Sequence, residues 1–318
     1  MNKFYQILNR IFLLTMILSL TINAQDFKKT ATAGFTFLGI PVTARYAALG
    51  EASVALSDLN SDGIFINPAV LGFTNQTHSF STSYANWFAD IKHYAASYSY
   101  NSGFGVFAAG VVIMDFGSMP RTITGGGQKV YNVIGTFSAN SIAASFGYSK
   151  MLTDRFSFGI AAKYVEEKID VYKASNILLE GGVLYYTGLG SLRIAASLQN
   201  FGTNTKFIND EFKMPITFKL GMAAEVLGSK DSDYRVTLIS EASHPTDANE
   251  RLNFGTEISW NEMITFRAGY KFFYDEETYS LGVGVNPKLD IPMNLDFAFA
   301  DYGRLGKILR LSLQLGLY

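Results

Sequence analysis

The chain has no cysteine among its 318 residues. Disulfides, thiolate metal sites, a cysteine nucleophile and a lipidated N-terminal cysteine are therefore excluded, and an exported protein of this sequence must take its rigidity from elsewhere. Charge is also scarce, at 17% Asp, Glu, Lys and Arg, where an ordinary soluble domain carries about 25%. With a net charge of −1, no basic field is available to hold nucleic acid. The three histidines, His78, His93 and His244, show no metal-ligand spacing. "SHPTD" (243–247) puts Ser, His and Asp in one short loop, where neighbours cannot easily assemble a triad. "GGGQK" (125–129) lacks the rest of a phosphate loop and reads as a flexible connection. His93 is the one histidine placed for a hydrolase at a lipid-facing wall, and an interfacial position accounts for it better. No enzyme, cofactor or metal is expected. Long hydrophobic runs are missing as well. After residue 24 the longest is "VFAAGVVIM" (106–114), half of a spanning helix.

What is present begins with a secretory signal over residues 1–24. Lys3 and Arg10 supply its positive region, "IFLLTMILSL" its apolar stretch, and "INA" a small residue before Gln25. The whole chain is 48% hydrophobic and rich in Phe (26), Tyr (18) and Gly (29), and beyond the signal its apolar residues recur with period two. In "TFRAGYKFFY", Phe266, Ala268, Tyr270, Phe272 and Tyr274 fall on one side, with Thr265, Arg267, Gly269 and Lys271 on the other. "MNLDFAF" and "RLNFGTEISW" divide in the same way. This is the pattern of strands with one apolar and one polar face.

A soluble sandwich alternates too, so two further features decide. The polar face carries small residues or charges of both signs: Arg193, Lys219, Glu225, Arg235, Glu241, Arg251, Glu257, Arg267, Lys271, Asp296 and Arg310. These suit a lumen where charges pair across neighbouring strands or line a selective surface. Aromatic residues gather at strand ends (Trp260 and Phe266, then Phe272 to Tyr274), where the girdles of an outer-membrane barrel belong. The expectation is an all-β, transmembrane antiparallel barrel of about fourteen strands over residues 76–318. The strands fall near 77–84, 92–100, 103–114, 140–150, 155–168, 177–187, 190–200, 215–227, 233–242, 251–260, 264–274, 278–286, 292–302 and 307–318. An even count places both termini on one side, the periplasm. The connections after even strands are short, and long outer loops are expected at 115–139 and 201–214. In the last strand Leu311, Leu313, Leu315 and Leu317 form the lipid-facing set, and Tyr318 falls out of phase with it.

A barrel of that size is too wide for its own side chains to fill. Residues 25–75, small, weakly charged and broken by Pro41 and Pro68, are free to close it as a plug at the periplasmic mouth, or to pack as a tail beneath the rim. "IPVTARYAALGEASVALSDLNSDGIFINPAVLGF" resembles the N-terminal signature of the PorV/PorQ family, through Pro41, Arg45, Ala48 to Gly50, Asp58 to Asp62 and Asn67-Pro68-Ala69. "DFGSMPRT" and "RAGYKFFYDEETYSLGVGV" resemble later segments of that family. The family is similar in turn to FadL-type transporters, fourteen-stranded barrels whose N-terminal hatch holds an Asn-Pro-Ala element. The resemblance implies a plug role for Asn67, Pro68 and Ala69. It also implies an outer-membrane protein serving as an accessory or carrier in type IX-like secretion, with secretion-system proteins or secreted cargo as partners. The alternative is a FadL-like transporter of a hydrophobic small molecule. Either protein would be solvated by outer-membrane lipid.

Overall fold

Strands with one apolar and one polar face bury their backbone groups in a membrane only by closing on themselves. The computed structural model, which describes residues 32–126, 130–229 and 232–318, shows that closure; the expected signal peptide lies outside the described residues. The strands are β1 (His78–Asn86), β2 (Lys92–Asn101), β3 (Val106–Thr124), β4 (Tyr131–Thr153), β5 (Phe156–Ile169), β6 (Tyr172–Tyr186), β7 (Arg193–Phe201), β8 (Thr205–Phe207), β9 (Asp210–Phe212), β10 (Thr217–Leu227), β11 (Tyr234–Pro245), β12 (Arg251–Trp260), β13 (Ile264–Phe272), β14 (Tyr279–Val285), β15 (Met293–Asp301) and β16 (Lys307–Leu317). β8 and β9 make a separate hairpin. The other fourteen form a closed antiparallel barrel in which β1 pairs with β16 along its whole length. Closure leaves no edge strand.

Alternation sets which way each side chain points. In β12, Phe254, Ile258 and Trp260 are exposed on the outer wall, while Asn253, Glu257 and Ser259 are buried within. The same division runs round the barrel and leaves Phe80, Tyr98, Phe146, Ile160, Leu220, Phe266 and Phe297 facing outward. A soluble protein does not leave so continuous an apolar band uncovered; a transmembrane barrel presents it to lipid tails. Among the described residues no helix is long and apolar enough to cross a membrane.

Three local expectations are corrected. Residues 115–139 are mostly continuations of β3 and β4, not a long loop. β2 pairs with β3 only as far as Asp115, and β5 with β4 only from Ala139. Residues 116–124 and 131–138 therefore stand above the barrel as a two-stranded ribbon. The β-branched and aromatic residues Thr122, Ile123, Thr124, Tyr131 and Val133 favour that extension; of the expected "GGGQK" loop, Gly125 and Gly126 follow β3 outside any strand, and 127–129 lie outside the described residues. The second expected loop, 201–214, contains the β8–β9 hairpin. Third, Tyr274 leaves the outward set. Phe273 adopts a left-handed φ of 67°, which breaks the alternation after β13 and turns the Tyr274 ring inward, beneath Arg251 and Lys271.

The barrel has a turn end, with connections 102–105, 154–155, 187–192, 228–233, 261–263 and 286–292, and an opposite loop end. Connection 170–171 belongs to the loop end, so length alone does not separate the two. The described part of the N-terminal segment starts at the loop end, where Ala33 bridges Lys213 and the Gly34 N–H donates to the Lys213 carbonyl at 3.1 Å. It joins β1 at the turn end, where His78 stands opposite Leu317. The segment therefore runs the height of the barrel and is not confined to one mouth. On the way it forms the short helices α1 (Ala44–Ala48) and α2 (Gly63–Ile66) and a 3₁₀ turn over Pro68–Phe73.

The main hydrophobic core lies between this segment and the wall. Leu49, Val54, Leu56, Leu59, Ile66 and Val70 pack with Leu184, Ala195, Ala223 and Ile239. The wall admits the segment because its inner face is built small. Where a Cβ would stand at Gly159, Gly182, Gly221, Gly255, Gly269 or Gly282, there are already atoms of Pro68–Ala69, Asn67, Val54, Leu49, Gly50 or Ala48.

Candidate functional site

The expected inner elements fall along the segment. Asn67 caps the 3₁₀ turn: its Oδ1 accepts from the Ala69 N–H at 3.0 Å, while Pro68 occupies the first turn, where no N–H is needed. Its Nδ2 donates to the carbonyls of Val54 at 3.0 Å and Val183 at 3.4 Å, joining two parts of the segment to β6. The Ala69 carbonyl accepts from Ser157 Oγ at 2.8 Å and Ser149 Oγ at 3.2 Å. Asn67→Ala breaks the cap and leaves the Val54 carbonyl without its donor in the interior. Unfolding from lipid vesicles in urea is expected to show a loss of about 2 kcal/mol; an unchanged midpoint would contradict the capping role.

Arg45, which follows the α1 cap Thr43, reaches the Glu257 carboxylate with Nε and Nη2, both at 2.8 Å, and Asp58 with Nη2 at 3.0 Å. Arg267 stands opposite Glu257 across β12 and β13. It donates to Glu257 Oε1 and to Asp296 Oδ1, each at 2.6 Å. β14 lies between Arg267 and Asp296, and the reach is possible because Gly284 presents no side chain there; a Cβ would collide with both groups. Arg193 donates to the Ala55 carbonyl at 2.8 Å and pairs with Glu225 at 2.9 Å. Glu241 Oε2 accepts from the Ser53 and Val54 N–H groups, both at 2.9 Å, and Lys219 Nζ donates to the Tyr46 hydroxyl at 2.6 Å. Lys271 is held between Glu51 and Glu277. Arg251 lies 4.5 Å over the Tyr274 ring. Arg235 stands apart at the turn end, 3.7 Å from Glu262. Pro41 is buried near the loop end of the segment.

The expected charge pairing across neighbouring strands thus describes only part of the lumen. Counter-charges and backbone donors also come from the segment: Arg45, Glu51 and the amides of Ser53 and Val54. A further buried pair, outside the expected lumen charges, is Lys163 with Glu180, supported by Asn200. Its signal was present, because Lys163 shares the inward parity of Ala161 and Val165 along β5. His93 is corrected from an interfacial to an interior residue. It points inward from β2, fully buried, and its Nδ1 accepts from Arg310 Nη1 at 3.1 Å. The expected "SHPTD" loop is corrected as well: Ser243 and His244 belong to the end of β11, where they pair with Lys219 and Phe218, and His244 is exposed beside Glu250. No metal-ligating cluster occurs among the described residues.

Above the segment, at the loop end, lies a chamber of about 280 Å³. Leu38, Ile40 and Val42 form one wall with Trp87; Lys219, Glu241, Arg251, Asn253, Tyr274 and Glu277 form the other. Burial raises the phenols of Tyr274 and Tyr302 above the ordinary tyrosine range, so both stay neutral. At the rim, Arg304 bonds Glu276 and holds its carboxyl below the usual range, tying connection 273–278 to 302–306.

These features define a closed transmembrane barrel whose lumen is occupied by its own N-terminal chain. The same fold occurs in solved structures. Similar are the toluene transporter TodX of Pseudomonas putida (TM-score 0.60, 13% identity, 86% of this chain and 96% of that one) and the toluene transporter TbuX of Ralstonia pickettii (0.56, 14%, 91% and 100%). The monoaromatic hydrocarbon channel CymD is similar too (0.59, 10%, 87% and 98%). Neither a protein-family model nor a curated protein matches the sequence.

Proposed function

We propose that this chain is an outer-membrane conduit of the FadL-like kind, admitting a small molecule with apolar surface, with residues 35–74 as its plug. The loop end faces outward and the turn end faces the periplasm, following the barrel rule. The observation that carries this reading is the threaded segment in a barrel that shares its fold with structures described as toluene and hydrocarbon transporters. The chamber then receives the molecule at the loop end, and the segment must shift against the glycine track for it to pass. The test uses whole cells with an intact outer membrane and the apolar dye N-phenyl-1-naphthylamine, which brightens in apolar surroundings. Cells carrying the chain are expected to take up the dye several-fold faster than cells with an empty vector; equal initial rates would remove the reading.

One observation favours a second role, in type IX-like secretion. The ribbon exposes Ile123, Val130, Tyr131, Val133 and Ile134 above the barrel, and apolar surface of that kind suits a protein partner. A photo-crosslinker at position 131 in native membranes is expected to capture a defined secretion or cargo protein; cross-links to lipopolysaccharide alone would count against it.

A further inference from the structure

A passage for plain hydrocarbon needs no hydrogen-bonding groups, because burying polar groups without partners costs affinity for an apolar guest. The loop-end chamber is not built that way. One wall is apolar, and the other is dense with polar groups held in place by their neighbours.

Three of those groups have bonding capacity left over. Asn253 is 2% exposed. Its Nδ2 donates to the Tyr274 hydroxyl at 3.1 Å, but its Oδ1 has no partner among the described residues. Glu241 is 1% exposed. Its Oε2 is taken by the Ser53 and Val54 amides, while Oε1 lies 3.4 Å from Lys219 Nζ, an ion pair without a hydrogen bond. Arg251 makes no ion pair within 4.0 Å among the described residues, and its guanidinium is spread over the Tyr274 ring. All three line the same chamber. Buried polar groups are normally satisfied, and each exception calls for a cause. Here two orphan acceptors, themselves closed to solvent, and a fork of donors without an ion pair belong to residues that line one chamber.

The charge balance narrows the class of guest. Glu51, Glu241, Glu277 and Asp247 line the chamber with Lys219 and Arg251, and Lys271 sits directly behind, already held by Glu51 and Glu277. An anion would meet the carboxylates, and a cation would meet the lysines and the arginine. A hydroxyl both donates and accepts without adding charge, so a neutral group bearing several hydroxyls answers Asn253, Glu241 and Arg251 together. The chamber is at the small end of ligand sites, which begin near about 300 Å³, and is sized for one ring. We infer that this chamber binds the hydroxylated ring of a neutral glycoside, with the apolar remainder lying against Leu38, Ile40 and Trp87. The inference rests on the conduit reading only in taking the bound molecule as cargo; the binding site stands without it.

The chain's two tryptophans supply the assay. Trp87 lines the chamber, while Trp260 faces outward. In a Trp260→Phe background, full-length protein folded into phosphatidylcholine vesicles is titrated with hexyl β-D-glucopyranoside, toluene and zwitterionic phenylalanine, reading Trp87 emission. The glucoside is expected to give a saturable change at least about tenfold tighter than either competitor. Asn253→Leu and Arg251→Met should each weaken it about tenfold, with the heat-modifiable mobility of a folded barrel retained. Toluene or phenylalanine binding as tightly as the glucoside overturns the inference, and so does indifference of the glucoside to both folded variants. Dye uptake by cells without glucoside binding leaves the conduit and removes the site; binding without uptake does the reverse.

Discussion

Gly269→Val is expected to lift the inner segment off the barrel wall and turn a closed lumen into a leaky one. The position on β13 faces the backbone of the segment, not a side chain: a Cβ there falls on Gly50 N and Leu49 C. Backbone cannot rotate aside as a long side chain can. The same stretch is pinned on both sides, since Gly50 N–H donates to Ser280 Oγ at 3.0 Å and Glu51 pairs with Lys271. Valine must therefore break those contacts or distort the strand, and overpacking of this sort costs about 3 kcal/mol or more. Two measurements follow. The urea midpoint in vesicles should fall, and conductance across a planar bilayer should rise well above that of the unaltered chain. Gly181→Ala is the matched control, because its nearest neighbour would be the Gly159 carbonyl at 3.9 Å, an ordinary contact. A Gly269→Val protein as stable and as tight as the control would show that the segment does not hold the lumen closed.

Glu257→Leu is expected to cost the most of any single charge removal. Glu257 is 5% exposed and receives Arg45 through two hydrogen bonds and Arg267 through a third. Removing it leaves Arg45 with only the more exposed Asp58, and Arg267 with Asp296 alone. Breaking a buried pair from one side costs about 3–5 kcal/mol, since the remaining charge has lost its water and gained nothing. The double change Arg45→Met with Glu257→Leu removes the stranded cation as well and is expected to recover part of that loss, so the two single effects will not add. Urea unfolding of the three variants from vesicles measures the cycle. A Glu257→Leu protein within about 1 kcal/mol of the parent would mean that solvent reaches this cluster freely.

Much of the architecture is legible from short stretches of sequence. Phe254, Ile258 and Trp260 alternate with Asn253, Glu257 and Ser259, and no other part of the chain is needed to place them on opposite faces. Pro68 marks a break in regular structure just as locally, and the fold makes that break a 3₁₀ turn capped by Asn67. The exceptions have identifiable causes. Tyr274 changes sides because one residue, Phe273, takes a left-handed backbone. The span 115–139 reads as a loop because, between Asp115 and Ala139, its strand residues pair only with each other, above the rest of the wall. The Lys163–Glu180 pair was readable from parity along β5 but needed the neighbouring register to give it a partner.

Side-chain period and the small or bulky character of each inward position are set by neighbours two residues away, so the strands, their faces and the room left inside were determined before any folding was considered. Which carboxylate meets which cation is different. Arg45 reaches Glu257 across 212 positions of chain, and Arg267 reaches past an intervening strand to Asp296. Those meetings, the path of the inner segment and the chamber above it exist only once the barrel has closed with a particular register, because closure alone brings distant inward faces within bonding distance of one another.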